Sequence, residues 1–414
     1  MRTIAIISTL DSYGDIVSFV KEQIEQKGHK SLVIDLSMGG APSVSADVTC
    51  EEIAEAGGAS IEHIRASRDR PKISGIMIKG AIQKATELYS AGRLEGIIGV
   101  GGATCAFMAT SVMRALPFGV PRLMVSSSAS VPHLCGGYFG PFDITMMNTM
   151  VDIVDLSEPV KNVLTRGVGA ICGMVESLVE VKPGVHTTEV SIAMTDWALS
   201  EQCAKQVKQG LSQRGYEVIS FHAQGMGDRA MEELINQGLF EGVVDLAPGG
   251  VSEELFGGRR AAGPHRLEAA GSRGIPQIIT PNGLNVISCG PLEKLPPKYK
   301  KRKLYILDHQ RVHAKMVAAE IERTARVIAD KLNCAKGPTK FIVPLRGWSV
   351  SERTGDPYYE PELNRLFVQT LKARLKPEIE TIEIDAHLED PAFAQAIVAT
   401  FDNMMKLHLH RAPG

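Results

Sequence analysis

The sequence is poor in aromatic side chains, which make up 5% of its 414 residues, and poor in charge imbalance, with 45 Lys and Arg against 47 Asp and Glu. A nearly neutral chain without a wide basic field is not built to neutralise a phosphodiester backbone, so nucleic acid is not an expected partner. The one concentrated basic run, Lys298-Tyr299-Lys300-Lys301-Arg302-Lys303, reads as a solvated loop. No apolar stretch reaches the ~18 residues that span a bilayer, which removes the membrane as well. The seven cysteines are scattered, odd in number and never spaced C-x-x-C. A local zinc motif is thereby excluded, and a reduced, cytoplasmic setting is expected. Thr3-Ile4-Ala5-Ile6-Ile7 opens the chain as a strand, without the basic and apolar regions of a secretory signal, and agrees with that expectation.

What the sequence does have is a pattern stated twice. Leu94-Glu95-Gly96-Ile97-Ile98-Gly99-Val100-Gly101-Gly102 is echoed by Phe240-Glu241-Gly242-Val243-Val244-Asp245-Leu246-Ala247-Pro248-Gly249-Gly250. Two further pairs keep the same order: Gln26-Lys27-Gly28 with Gln213-Arg214-Gly215, and Gly119-Val120-Pro121 with Gly274-Ile275-Pro276. Three matches in register predict two related α/β domains, residues 1–185 and 186–414, with Lys182-Pro183-Gly184 as punctuation. Each domain is expected to be a mostly parallel sheet with helices on both faces, and the cleft between them is expected to hold ligand. Periodicity predicts strands at 3–9, 31–36, 95–100 and 122–126 in the first domain. It predicts helices at 15–27, 74–91, 103–115 and 158–179, with loops and one short helix between 38 and 67. In the second it predicts strands at 188–194, 216–221, 242–246, 276–280, 340–345 and 379–384. Helices are expected there at 200–213, 228–236, 309–332, 361–374 and 391–406.

Loops after the strands should carry the chemistry. Gly101, Gly102, Ala103 and Thr104 leave a strand and enter a helix, where a backbone without Cβ atoms and free helix N–H groups can receive a phosphate. The same turn also serves simple close packing. Asp11, Ser12 and Gly14 follow the first strand; Asp11 can meet Mg²⁺ or a ribose hydroxyl, or only cap the helix. Ser126, Ser127 and Ser128 supply hydroxyls after the strand that follows the glycine turn. Asp143, with Thr145, Asp152 and Asp155 nearby, is the candidate metal residue beside a phosphate. In the second domain His222 is a candidate acid–base residue, and Arg229 and Arg266 candidate anion-binding residues, completing a catalytic set. His309 and His313, four apart on an expected helix, lack a third metal ligand.

Several of these stretches together are similar to a known family. Thr9-Leu10-Asp11 with Gly14, Gly99-Val100-Gly101-Gly102, Asp143-Ile144-Thr145-Met146-Met147, Phe221-His222-Ala223, Arg266-Leu267-Glu268-Ala269-Ala270-Gly271 and Asp385-Ala386-His387-Leu388-Glu389-Asp390 all take part. The chain resembles the uncharacterised family typified by the ATP-binding N-terminal domain of the tomato mosaic virus resistance protein. That resemblance implies two α/β domains, a homodimer, and ATP or a related nucleotide as ligand; Mg²⁺ is expected beside it to offset phosphate charge. The chain departs from the family at Ser12-Tyr13, where a Thr-Lys pair is usual, and at Gly101-Gly102-Ala103-Thr104, where more glycine is usual. These differences admit a smaller phosphorylated or carboxylate ligand. The expected function is binding of a nucleotide-like or phosphorylated small molecule by an ATP- and Mg-dependent group-transfer enzyme acting on an organic acid or sugar derivative. The alternative is a non-catalytic, ligand-responsive regulator or scaffold acting through a protein partner.

Overall fold

The computed structural model describes residues 1–178 and 190–410. Lys182-Pro183-Gly184 and the expected boundary at 185/186 lie outside the described residues. The chain divides into two compact units, Met1–Val181 and Lys182–Gly414.

The first unit runs β1 (Thr3–Ser8), α1 (Leu10–Gln26), β2 (Lys30–Asp35), α2 (Cys50–Gly57), α3 (Ile61–Ala66), α4 (Arg70–Ser90), β3 (Gly96–Val100), α5 (Ala103–Arg114), β4 (Arg122–Ser126), α6 (Pro132–Phe139), β5 (Thr145–Asn148) and α7 (Glu158–Glu176). Its five strands are all parallel in the order β2-β1-β3-β4-β5. Alternate residues of β1 feed opposite cores: Ala5 and Ile7 join the cluster under α2, α4 and α5, whereas Ile4 and Ile6 join the one under α1 and α7. Burial on both faces is why the strands read as continuous apolar runs.

Two local differences from expectation have physical causes. Helix α1 starts at Leu10 rather than residue 15, because Asp35 Oδ1 accepts from Leu10 N and Ser37 Oγ from Asp11 N, which satisfies the helix start from the neighbouring strand end. The loop expected over residues 9–15 is therefore the first turn of a helix. Between 38 and 67 there are two short helices, each with its own N-cap, Thr49 in a capping box with Glu52 and Ser60 accepting from His63 N. The small-residue helix α7 packs on the sheet itself: a Cβ at Gly167 would lie 3.0 Å from Val125 Cγ2.

The second unit runs β6 (Val190–Asp196), α8 (Glu201–Ser212), β7 (Tyr216–His222), α9 (Met226–Asn236), β8 (Gly242–Asp245), α10 (Gly250–Phe256), α11 (Ala269–Arg273), β9 (Gln277–Ile279), β10 (Val286–Gly290), β11 (Leu304–Asp308), β12 (Arg311–Lys315), α12 (Ala318–Asn333), β13 (Thr339–Pro344), α13 (Pro361–Lys372), β14 (Glu380–Ile384) and α14 (Pro391–Leu409). Six parallel strands lie in the order β7-β6-β8-β9-β13-β14, which is the order of the first sheet with one strand added. A separate antiparallel sheet, β10-β12-β11, stands between β9 and α12. It corrects the expected helix over 309–332. Residues 311–315 pair on both edges as a strand, and the helix starts only at Ala318, where Glu320 accepts from Val317 N. Pairing with two neighbours overrides the local helical preference of Arg, Ala and Lys.

Candidate functional site

In an open parallel sheet a crevice forms where successive connections leave in opposite directions, at the carboxyl ends of the two strands concerned. In the first unit those strands are β1 and β3. The β1–α1 and β3–α5 junctions meet there and wall a cavity of about 950 Å³ whose lining includes Asp11, Ser12, Tyr13, Gly102, Ala103 and Thr104. Gly101 has φ +154, and a Cβ on it would lie 2.7 Å from Cys105 Cβ, so this position requires glycine. Gly102 is the N-cap of α5 and offers no side-chain cap to it. The first amides of the helix are thereby left open at the cavity wall, where Ala103 and Thr104 are exposed.

Charge in the lining is sparse and divided. Arg70 at the start of α4 is its one cationic side chain, and Asp11 its one carboxylate. Asp11 Oδ2 accepts from Gly39 N at 3.0 Å and Gly40 N at 3.1 Å, while Oδ1 accepts from Ser12 Oγ at 3.0 Å. It fixes the loop after β2 against the cavity mouth. Met38, Pro71, Phe107 and Leu134 give the lining an apolar wall. Cys105 is buried beneath the turn; burial pushes its thiol up to about 11, so it stays protonated and is no nucleophile. Tyr13 Oη accepts from Gly102 N at 3.0 Å.

Tyr13, Arg70 and the apolar wall escaped the sequence reading. Tyr13 stood in a stretch already singled out. The Asp69-Arg70-Pro71 helix start was a legible signal for the position of Arg70.

Other residues singled out in the sequence have different work here. Gly14 lies inside α1, where a Cβ would fall 1.8 Å from Ser43 Oγ; glycine admits that loop. Ser126 Oγ and Ser128 Oγ are buried 2.9 Å apart, Ser128 Oγ lies 2.9 Å from Tyr138 Oη, and Ser127 donates to Asp152. None of the three serines lines the cavity. Asp143 precedes β5 and so lies at the amino-terminal edge of the parallel sheet, opposite the glycine turn. There it pairs with Arg122 at 2.5 Å and accepts from Gly119 N. An ion at Asp143 cannot meet a phosphate at Gly102 from that edge, which corrects the metal expectation. Among the described residues no group of three or more His, Cys, Asp or Glu is placed to hold a metal.

In the second unit β6 and β8 occupy the corresponding positions, but their crevice is filled. Pro248, Gly249 and Gly250 are buried, and a Cβ at Gly249 would lie 2.8 Å from Gly283 O and 3.2 Å from Arg260 Nη2. Arg260 is stacked 3.9 Å over the Trp197 ring and bonded through Nε to Glu253 Oε1 at 3.0 Å. His222 ends β7, the edge strand, and is exposed, as is Arg229 in α9. Arg266 is not available to a ligand. It is 1% exposed, and its three nitrogens bond Asp228, Asp245 and Glu232 at 2.6–3.0 Å. His309 lies in the β11–β12 turn and His313 on β12, its ring edge-on to Trp197 at 5.4 Å.

Burial, aided by the nearby Arg260 and Arg311 and opposed by Asp308, pushes His313 down to about 3. Its folded-state pKa lies below the unfolded one, so the unfolded chain binds the extra proton first. Stability contributed by neutral His313 is complete above about pH 6.5 and is lost as pH falls toward 3, by about 1.4 kcal/mol per pH unit at most. Urea titrations between pH 7 and 4 are expected to show this slope, and His313→Phe to flatten it.

A family model described as the N-terminal domain of an uncharacterised protein family, UPF0261, matches residues 2–180, and the C-terminal domain model of the same family matches residues 189–405. A UPF0261 protein of Clostridium tetani is 34% identical over 406 residues, covering 98% of this chain and 99% of that one. The ToMV resistance protein Tm-1(GCR237) of Solanum lycopersicum is 29% identical over 312 residues, covering 74% of this chain and 41% of that protein. Among solved structures, UDP-N-acetylglucosamine 2-epimerase from Rickettsia bellii aligns at a TM-score of 0.23 and 9% identity over 67% of this chain and 78% of that one, too little to argue from.

Proposed function

The chain belongs to the uncharacterised protein family UPF0261, and from that premise we propose that its first unit binds a phosphorylated small molecule of the nucleotide class at the carboxyl ends of β1 and β3. The observation that carries this reading is the uncapped start of α5 opening onto a cavity of about 950 Å³. That volume lies within the usual range for small-molecule sites. Free helix amides and Arg70 favour an anion. Met38, Pro71, Phe107 and Leu134 favour a flat apolar group, such as a nucleobase, in the same ligand. With Asp11 the one carboxylate present, Mg²⁺ would enter chiefly on the ligand's phosphates, which is its usual habit.

In the lining Cys105 is protonated and the Asp11 carboxylate is occupied by two amides and a hydroxyl. Phosphoryl transfer needs positioning and charge stabilisation more than a tuned base, so group transfer is the enzymatic form of this proposal. A ligand-responsive regulator is the other form. We further read the two sheets, with their shared strand order, as copies of one ancestral unit whose second corner became core. Isothermal calorimetry with ATP, with and without Mg²⁺, and with inorganic pyrophosphate tests the binding claim. One saturable site per chain is expected. Flat titrations at high protein concentration would overturn it, and release of phosphate from ATP would decide for the enzyme.

A further inference from the structure

We infer that Tyr13 is a ligand-binding residue of this site, its phenol passing the Gly102 N–H on to a ligand oxyanion. The inference rests on the proposed anion site and names the donor that selects its ligand.

The geometry sets Tyr13 apart from an ordinary helix side chain. Its φ of −129° and ψ of 22° break the helical run of α1. The ring reaches across to the β3–α5 turn, close to where Cβ atoms of Gly101 and Gly102 would lie, 3.2 Å from one and 2.9 Å from the other. The bare backbone of those two glycines is therefore what makes room for a phenol, as well as for a phosphate. Tyr13 Oη accepts the Gly102 N–H at 3.0 Å. Its own O–H finds no acceptor among the described residues, although the side chain forms part of the cavity wall. The O–H, free of any protein acceptor and beside open helix amides, can donate to an oxygen of the ligand.

The neighbouring groups strengthen this donor. A hydroxyl that accepts one hydrogen bond is polarised and donates a stronger one. Burial raises the phenol above its ordinary pKa, opposed by the Gly102 amide, so it keeps its proton at neutral pH. Tyr13, the α5 amides and Arg70 then present donors alone. They select an acceptor-only group, a phosphoryl oxyanion of a phosphate ester or pyrophosphate, over ammonium or carboxamide groups.

Calorimetry of wild type and Tyr13→Phe with inorganic pyrophosphate and ATP tests this. Tyr13→Phe keeps the ring and removes the donor, and binding is expected to weaken about tenfold, the usual scale for a hydrogen bond to a charged group. Replacing Tyr13 by 3-fluorotyrosine, a stronger donor of nearly the same shape, is expected to tighten it; a purely structural role would not respond to donor strength. Unchanged or tighter binding by Tyr13→Phe overturns the inference alone, since the hydroxyl would then be idle or in the ligand's way. Failure of wild type to bind either probe removes the proposed site and this inference with it.

Discussion

Arg266→Leu is expected to destabilise the second unit by about 3–5 kcal/mol, the cost of stripping the partner from buried opposite charges. Asp228 and Asp245 are each 1% exposed, and Arg266 is the cation that bonds both. Asp228 also accepts from Gly225 N, and Asp245 from Thr195 Oγ1, so each carboxylate is fixed and cannot turn toward water. Glu232 adds a third arm, holding Arg266 Nη1 together with the amides of Leu267 and Ala269. The guanidinium thus ties α9, β8 and the segment before α11 together. Arg266→Lys should recover only part of the loss, because one ammonium cannot reach the same set of oxygens in a plane.

A loss below about 1 kcal/mol in urea unfolding, with ligand binding abolished instead, would return Arg266 to the ligand-binding role its sequence context suggested.

Gly102→Val is expected to remove binding of pyrophosphate and ATP while lowering the melting temperature by only a few degrees. With φ −78° and ψ −167°, Gly102 has a backbone conformation open to any residue, so valine introduces no torsional strain. Its Cβ would lie 2.9 Å from Tyr13 Oη, and the γ-methyls would follow into the space where the phenol and the first α5 amides face the cavity. The damage is local and falls on the proposed anion position. Gly101→Val should behave in the opposite way. At φ +154°, with Cys105 Cβ and Sγ each 2.7 Å from its Cβ, that substitution strains the turn and should cost stability first. Equal loss of binding and stability in Gly102→Val, read by calorimetry and thermal melting, would mark the turn as structural.

The sheet-and-helix plan was legible because buried parallel strands leave strong signals. Ile97-Ile98 before Gly99, or Val243-Val244 before Asp245, can hardly be anything else between two helical periods. The glycine turn was legible for the same reason, as the place where an apolar run ends and a helix begins. What the pattern did not carry was tertiary choice. Arg311-Val312-His313-Ala314-Lys315 has no local mark that separates strand from helix; pairing with β10 and β11 decides it. Asp143 reads as a metal residue from the acids clustered after it, but β4 and β5 run parallel, so a residue just before β5 lies at the far edge of the sheet from the glycine turn. Arg266 looked like an anion-binding fork because its three carboxylate partners stand 21 to 38 positions away. Arg260, which fills the second glycine corner, gave no sign of doing so.

The central claim is that the first glycine corner receives an oxyanion and the second, covered by Arg260 and Gly283, does not. Amide chemical-shift mapping on perdeuterated, ¹⁵N-labelled protein during a pyrophosphate titration reads both corners at once. Saturable shifts are expected at Gly102, Ala103 and Thr104 with Gly249 and Gly250 unmoved. Stationary amides at residues 102–104, or movement confined to 249 and 250, would contradict it.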